Sequence, residues 1–494
     1  METYILALDQ GTTSSRAVVF DRSGNIISIA QKEFPQIFPK PGWVEHNPMD
    51  ILETQLHSAK HVLEKASIKP EQIASIGITN QRETITLWDR NTGKPVYNSI
   101  VWQCRRTSEI CESLEKKGYG KIVREKTGLL LDPYFSGTKI KWLFDNVPGL
   151  YERAEKGEIC AGTIDTWLLF NLTGKHFTDP SNASRTLLFD ISTGKWDKEL
   201  LDMLGIPARI LPEIKPSCGF FASTKKEIFG REIPVGGIAG DQQASLFGQA
   251  CFDFGSAKNT YGTGCFMLVN TGKKPVFSSN RLLSTVAWDI GDGMEYALEG
   301  SVFIGGAVIQ WLRDQMKLVK TAADSEREAL SVKDNGGVYF IPAFVGLGAP
   351  YWDPEAKGTI MGLTRGSGSA HIIRAALESI AFQSLDLIDA IKDDIGGKIT
   401  SLKVDGGASV NSFLMQFQSD ILGIPVIQSS IAETTALGAA YLAGLHCGYW
   451  NDKDDIRKNW KARKTFTPAL DPYEREAMTA NWHQAVRAAL QFKP

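Results

Sequence analysis

Two stretches of this chain share one design. In YILALDQGTTSSRAVVFD, two apolar arms, residues 4–8 and 17–20, fold about a Gly-Thr-Thr-Ser-Ser turn, with Asp9 delivered into it and Asp21 behind it. Near residue 250 SAKNTYGTGCFMLVN does the same, its arms flanking Gly262-Thr263-Gly264. Tight turns of this kind favour glycine, for which positive φ costs little. One such hairpin opening each half suggests an internal duplication; two unrelated hairpins remain the alternative. Beyond them, the strand-like SLKVDGG, the helix-like SVNSFLMQFQSDILG and the short strand IPVIQSS alternate as in an α/β fold. Pro425 after Gly423 fits a helix stop followed by an edge-type connection. The last stretch of chain reads as helix. At 494 residues the chain is long enough to expect two domains.

Composition excludes several functions. A net charge of -2 argues against a broad nucleic-acid-binding face, which needs a basic excess. The seven cysteines are scattered and form no CxxC pair, so neither a zinc site nor a disulfide framework is expected, and a reducing compartment is. Sequons at Asn171 and Asn182 are chance matches on this reading, because the start lacks a signal-peptide pattern. No apolar run approaches the ~20 residues that span a bilayer. A cytoplasmic protein without membrane insertion is expected.

The sequence holds no GxxxxGK[ST], no protein-kinase arrangement of HRD followed by DFG, since the DFG at 253–255 has no HRD ahead of it, and no GxGxxG after a strand. Glycine-rich turns are plentiful instead, at 11–15, 262–264, 305–306 and 405–409. Backbone N–H groups converging in such a turn, flanked by hydroxyls, make an anion-binding nest. Asp9 beside it would repel phosphate unless a cation stood between them, and Mg²⁺, which takes one or two carboxylates plus substrate phosphates, is that cation. The opening turn thus reads as half of a Mg-nucleotide clamp, with the 262–264 turn opposite. DGGAS ends a strand and starts a helix, where Gly406 and Gly407 allow a flat ligand close approach. ITNQRETITLWD places Arg82 and Glu83 after a strand, as a solvated strand end or as donor and acceptor for vicinal hydroxyls of a polyol. IAGDQQASLFG places Asp241 and Gln242 between a strand and a helix-like run, with Asp241 an N-cap or a carboxylate that accepts a hydroxyl proton during phosphoryl transfer.

Across essentially its whole length the sequence resembles the glycerol kinases of the FGGY carbohydrate kinase family. The resemblance rests on ALDQGTTSSRA, PGWVEHNP, GITNQRET, VWQCRRT, YFSGTKIKWLFDN, GTIDTWL, GIAGDQQASLFGQ, KNTYGTGCFML, GTIMGLTRGSGSAHIIRAALES and KVDGGASVN. Xylulose and gluconate kinases share the phosphate loops but not the QRET and VWQCRR combination. The resemblance implies two ribonuclease-H-like α/β domains of the actin-like ATPase fold, with substrate and MgATP in a cleft between them. It assigns residues 1–250 to an N-terminal domain for glycerol and phosphate, and 251–494 to a C-terminal nucleotide domain. The implied reaction is transfer of the γ-phosphoryl of ATP to glycerol. Arg82, Glu83, Asp241 and Gln242 would hold the glycerol hydroxyls, and Trp102, Tyr134 and Phe266 would enclose its carbons. Asp241 would be the general base, and Asp9 and Asp241 the Mg²⁺ site. Thr12, Thr13, Ser14, Arg16 and Thr263 would contact phosphates, and Gly306, Gln310, Gly407 and Asn411 the rest of the nucleotide. A homodimer or homotetramer is expected by analogy.

The chain departs from its relatives in one loop. Enzymes of the family inhibited by fructose 1,6-bisphosphate carry an arginine just before the Ile-Pro, where this chain has Glu232. Others carry a histidine phosphorylated by a phosphocarrier protein, where this chain has Glu227 and no histidine over 221–232. Both inputs are therefore expected to be weak or absent. The rival readings are a kinase for another short polyol or dihydroxyacetone, and a nucleotide-gated ATPase of the actin or chaperone type. The second rival has no need of the Arg82, Glu83, Trp102, Tyr134, Asp241 and Gln242 set.

Overall fold

The structure, a computed structural model, describes residues 2–492. The opening arms pair antiparallel as β1 (Tyr4–Gln10) and β2 (Ser14–Phe20), closed by a hydrogen bond of 3.0 Å from the Gly11 N–H to the Ser14 carbonyl. The turn is shorter than its composition suggests. Ser14 and Ser15 belong to the strand, leaving Gly11, Thr12 and Thr13 at the tip. The arms are apolar throughout because both faces are covered. Leu6, Leu8, Ala17 and Val19 pack with Ile51, Ala59 and Val62 of α1 (Pro48–Ala66), which starts at an Asn47 cap. Ile5, Ala7, Val18 and Phe20 face the opposite way into a separate core.

The hairpin joins β3 (Ile26–Glu33), β4 (Ile73–Asn80), β5 (Cys218–Ser223) and β6 (Pro234–Gly240) in a six-stranded sheet of order β5-β6-β4-β1-β2-β3, and β6 runs straight into α2 (Asp241–Gly248). The second hairpin, β7 (Ala257–Tyr261) and β8 (Cys265–Gly272), continues into β9 (Leu283–Asp289), β10 (Met294–Val302) and α3 (Ala307–Asp314). After α4 (Ser369–Ile395) come β11 (Leu402–Asp405), α5 (Ser412–Leu422), β12 (Val426–Ser429), α6 (Thr434–His446) and β13 (Ala462–Phe466). Their sheet has the order β9-β10-β8-β7-β11-β12-β13. In each sheet the hairpin's first strand is antiparallel to its partner and parallel to a later strand, which is followed by a further parallel strand and an antiparallel edge. The same topology twice settles the two-hairpin question in favour of duplication, and the fold is the expected pair of ribonuclease-H-like, actin-like α/β units.

Three expectations are corrected in detail. β12 is paired on both sides, to β11 and β13, so the segment after Pro425 is no sheet edge. DGGAS does not pass directly into a helix. A 3₁₀ turn spans Gly407–Val410, and α5 begins at Ser412 with the Asn411 side chain accepting the Leu414 N–H. At Asp241 it is Gly240 that takes the cap position, and Asp241 is the first helical residue. Gly423 ends α5 in the left-handed region, as expected of a helix stop, and α7 (Pro472–Gln491) supplies the helix expected near the end.

Two helices lie between the sheets. Ala244 and Phe247 of α2 and Ala436, Leu437, Ala440 and Tyr441 of α6 share one core with Ile5, Ala7, Val18 and Phe20 of the first sheet and Leu268, Ala287, Trp288 and Ala297 of the second. The sheets are therefore held at a distance set by this helix layer, and α6, encoded late in the chain, covers the sheet built from its beginning. The two helices cross in close contact. A Cβ on Gly438 would stand 1.8 Å from the Ala244 carbonyl oxygen, and one on Gly248 2.0 Å from that of Thr434. Both obstacles are backbone, so neither can swing aside. G438A is expected to lower stability by roughly 1–3 kcal/mol, the usual cost of overpacking a core, measured by chemical denaturation. An unchanged midpoint would show that the helices do not need this spacing.

Candidate active site

Strand register builds the site. β1, β4 and β6 are parallel, with Asp9 opposite Thr79 and Gly240 opposite Asn80. Their C-terminal ends thus bring Asp9, the Gln81-Arg82-Glu83 segment and Asp241 to one edge, the usual place for a ligand in an α/β sheet. In the second sheet Thr260 lies opposite Asp405, which brings the 262–264 turn and the Gly406–Gly407 turn to one edge as well.

Arg82 and Glu83 are no solvated strand end: they are 2% and 1% exposed. Glu83 has φ +61°, a left-handed conformation that costs a non-glycine residue energy. Its carbonyl is pinned by the Ser136 hydroxyl at 2.9 Å and the Lys139 ammonium at 3.2 Å. Lys139 also donates to the Tyr134 carbonyl at 2.7 Å, tying the two segments together.

The charges form one cluster that joins the two sheets. Arg82 pairs with Asp241, Nε standing 3.0 Å from Oδ1, and donates from Nη1 to Glu299 Oε2 at 2.5 Å and Gln243 Oε1 at 3.2 Å, and from Nη2 to Glu299 Oε1 at 3.0 Å. Arg185 donates from Nε to Glu83 Oε1 at 2.6 Å and from Nη2 to Glu299 Oε1 at 3.0 Å. Of the five guanidinium N–H groups, three are hydrogen-bonded and Nε faces Asp241, which leaves one on Nη2 for a ligand. Glu83 keeps its second carboxylate oxygen, which no described residue bonds. Burial opposes the charges, but Glu299, Glu83 and Asp241 hold Arg82 firmly protonated. Burial likewise opposes ionisation of Glu299, yet Arg185 and Arg82 bring its carboxyl down to about 2. Asp241 alone is substantially open, with its side chain 32% exposed.

Around this cluster the aromatic candidates form a wall. The rings of Trp102 and Tyr134 meet edge-to-face at 5.5 Å, and the Arg185 guanidinium lies 5.7 Å from the Tyr134 ring. Trp102 is fixed from both ends: its backbone N–H donates to the Thr84 hydroxyl and its indole Nε1–H to Thr12 Oγ1 at 3.0 Å. Gln242 is reached from the second sheet by Lys258, whose Nζ donates to Gln242 Oε1 and, at 3.0 Å, to Thr260 Oγ1. Phe266, half-buried on β8, is the cross-strand partner of Thr260. All seven acceptor-site candidates are thus linked through the cluster and its neighbours.

The phosphate candidates are less uniform. Thr13 is exposed at the tip, whereas Ser14 is buried and its hydroxyl already accepts from Gln31 Nε2 at 2.9 Å. Arg16 donates to Glu433 and stands 3.8 Å from Asp9. Burial, reinforced by Glu433 and Asp241 against the pull of Arg16, pushes the Asp9 carboxyl up to about 7. A carboxylate under such strain is relieved by a cation, and its hard oxygens suit Mg²⁺. Among the described residues no group of three or more His, Cys, Asp and Glu is arranged to hold a metal, so such an ion would depend on one or two carboxylates and on its substrate. In the second half the Thr263 carbonyl accepts from the N–H groups of Gly305 and Ala307, and the Gly262 carbonyl from that of Gly306. The turn is thereby stitched to the start of α3, whose Gln310 is exposed. Gly407 is exposed too, and Asn411 is occupied in capping α5 while also reaching Ser325 Oγ at 3.5 Å.

Sequence reasoning missed Arg185, Lys139, Lys258, Glu299 and Glu433. A signal existed for two of them. Glu299 in YALEGSV and Lys258 in AKNTY are charges inside runs destined for buried strands, where an unpaired charge is untenable. Nothing local marks Arg185 or Glu433, whose partners lie in other segments. Asn182 is fully buried, with Nδ2 bonded to Asp179, so its sequon is inaccessible to glycosylation.

Two family models cover the chain: the FGGY family of carbohydrate kinases, N-terminal domain, over residues 4–248, and its C-terminal domain over 257–447. A glycerol kinase of Caldanaerobacter subterraneus subsp. tengcongensis is 61% identical over 494 residues, covering 100% of this chain and 99% of its own. Glycerol kinase 2 of Thermotoga maritima is 58% identical over 492 residues, with 99% of each covered. Among solved structures, the glycerol kinase of Plasmodium falciparum with ADP superposes with a TM-score of 0.94 at 38% identity over 99% of both chains. No helix among the described residues is long and apolar enough to cross a membrane.

The cluster makes a sharp prediction. Glu299 is 0% exposed between two guanidinium groups. E299Q removes the charge that offsets them and is expected to cost roughly 3–5 kcal/mol, as breaking a buried ion pair does, measured by equilibrium unfolding. A loss below roughly 1 kcal/mol, typical of surface pairs, would show that water compensates the arginines.

Proposed function

The chain belongs to the FGGY family of carbohydrate kinases, and on that premise we propose that its acceptor site works on glycerol as follows. The protein transfers the γ-phosphoryl group of ATP to glycerol, giving sn-glycerol 3-phosphate and ADP. The observation that carries this is the 61% identity, across the whole chain, to a glycerol kinase. The buried Arg82 and Glu83, each with one free hydrogen-bonding position, support it, because vicinal hydroxyls need both a donor and an acceptor.

Glycerol lies against Trp102, Tyr134 and Phe266, its hydroxyls held by Arg82, Glu83, Asp241 and Gln242. Asp241 accepts the proton of the attacking hydroxyl while the new O–P bond forms and the bond from the γ-phosphorus to the ADP oxygen breaks. Arg82, 3.0 Å from Asp241, holds that carboxylate in place. Asp9 and Asp241 would hold Mg²⁺, which supplies neutralising charge to the phosphate oxygens. Thr12, Thr13, Ser14, Arg16 and Thr263 contact phosphates, and Gly306, Gln310, Gly407 and Asn411 the remainder of the nucleotide. The division at residue 250 separates an acceptor domain from a nucleotide domain. A cytoplasmic homodimer or homotetramer completes the reading. Glu227 and Glu232 are both exposed carboxylates, which disfavours an anionic effector or a phosphorylated histidine in that loop. Activity unchanged by fructose 1,6-bisphosphate or by the phosphocarrier is expected, and clear inhibition or activation would refute it.

The primary test is ADP release from MgATP with glycerol, dihydroxyacetone, xylulose, gluconate or no acceptor. Strong dependence on glycerol over a low basal rate is expected. Hydrolysis indifferent to every polyol would leave the fold intact and hand the function to a nucleotide-gated ATPase. D241N should bind glycerol measurably yet turn over about 10²–10⁴ more slowly, the usual worth of a positioned base. Retained turnover would reduce Asp241 to a positioning role.

A further inference from the structure

Lys258 is a charge with no place in the reaction as derived so far. It is 0% exposed on β7, whose other residues are uncharged, and belongs to the second sheet. Its Nζ nevertheless crosses to the first residues of α2, bonding Gln242 Oε1 while Thr260 Oγ1 accepts a second bond at 3.0 Å. A carboxamide has an acceptor end and a donor end of nearly equal shape, and α2 by itself does not decide which faces a ligand. An ammonium has only N–H groups to offer. The Gln242 oxygen must therefore face Lys258, which turns the NH₂ end toward anything else.

We propose that Lys258 is a positioning residue for acceptor binding, fixing the Gln242 carboxamide so that it presents its NH₂ group to the acceptor's hydroxyl. This rests on the proposed placing of Gln242 against that acceptor. Glu299, also from the second sheet, acts on Arg82 in the same sense by occupying its Nη1 and Nη2 groups and leaving one N–H. Both ligand-facing groups are then donors. A hydroxyl that accepts from them keeps its own hydrogen free to point at Asp241, the orientation that proton removal requires. The acceptor site of the first sheet is thus incomplete without two charged side chains of the second.

A double-mutant cycle on the full-length protein tests this. K258M keeps the stem's bulk and removes the donor. It is expected to raise the KM for glycerol by about fivefold to tenfold, the value of a directed hydrogen bond, with the KM for ATP changed by less than about twofold. In a Q242A background the same substitution should add less than about twofold, because a group acting through Gln242 has nothing left to orient. Effects on glycerol KM that multiply in the double variant would overturn the proposal, as would a rise confined to the KM for ATP, which would place Lys258 on the nucleotide. K258L, which likewise lacks the donor, serves in the same cycle if K258M shows no cooperative unfolding. Absence of glycerol-dependent turnover in the unmodified protein would overturn the functional reading itself, and would be seen before any variant is made.

Discussion

The close crossing of α2 and α6 is the constraint on which the rest depends. Glycines at 248 and 438 let the two backbones meet without intervening side chains. A layer this thin brings two sheets, each with its parallel strands ending on one edge, near enough for single side chains to bridge them. Arg82 reaches Glu299 and Lys258 reaches Gln242 only because of that spacing. A thicker layer of the same helices with larger residues would leave those charges buried and alone, at a cost of several kcal/mol each.

Charge inside the junction is tolerated because it is shared. Glu299 answers two arginines, Arg185 answers two glutamates, and Arg82 also holds the one partly open carboxylate, Asp241. The arrangement is buried at one end and partly open to solvent at Asp241. On the other flank Asp9 stands among Glu433 and Asp241 with too little positive charge nearby, and its carboxyl is pushed up to about 7. One side of the junction is electrically complete and the other is not. The incomplete side is the one whose hydroxyls and turn amides suit phosphate and a cation.

Much of this was legible in the chain. The two hairpins, the strands before Arg82 and Asp241, and the Gly423 stop follow from local rules of turn chemistry and apolar runs, and they lie where expected. So do Asp9, next to last in β1, and Arg82, Glu83 and Asp241, each just past a strand end, because residues at the C-terminal ends of parallel strands lie at one edge of the sheet. Other features resisted. The seryl residues after Thr13 read as turn but are strand, since their β-ladder with Lys32 and Glu33 outweighs local preference. The DGGAS segment reads as a helix start, but Asn411 offers a better cap, and the chain waits four residues for it.

What the sequence by itself determined is the set of elements and the chemistry at their ends, because hydrophobic period, glycine turns and strand-terminal acids act over a few residues. What only the tertiary structure decided is which charges answer each other. The partners of Arg82, Arg185, Gln242 and Arg16 are Glu299, Glu83, Lys258 and Glu433, three of the four pairs joining segments far apart in the chain and the fourth crossing from α2 to β7. No local rule connects them. Burial alone makes each need a partner, and the sheet register with the α2–α6 crossing determines which partner is within reach.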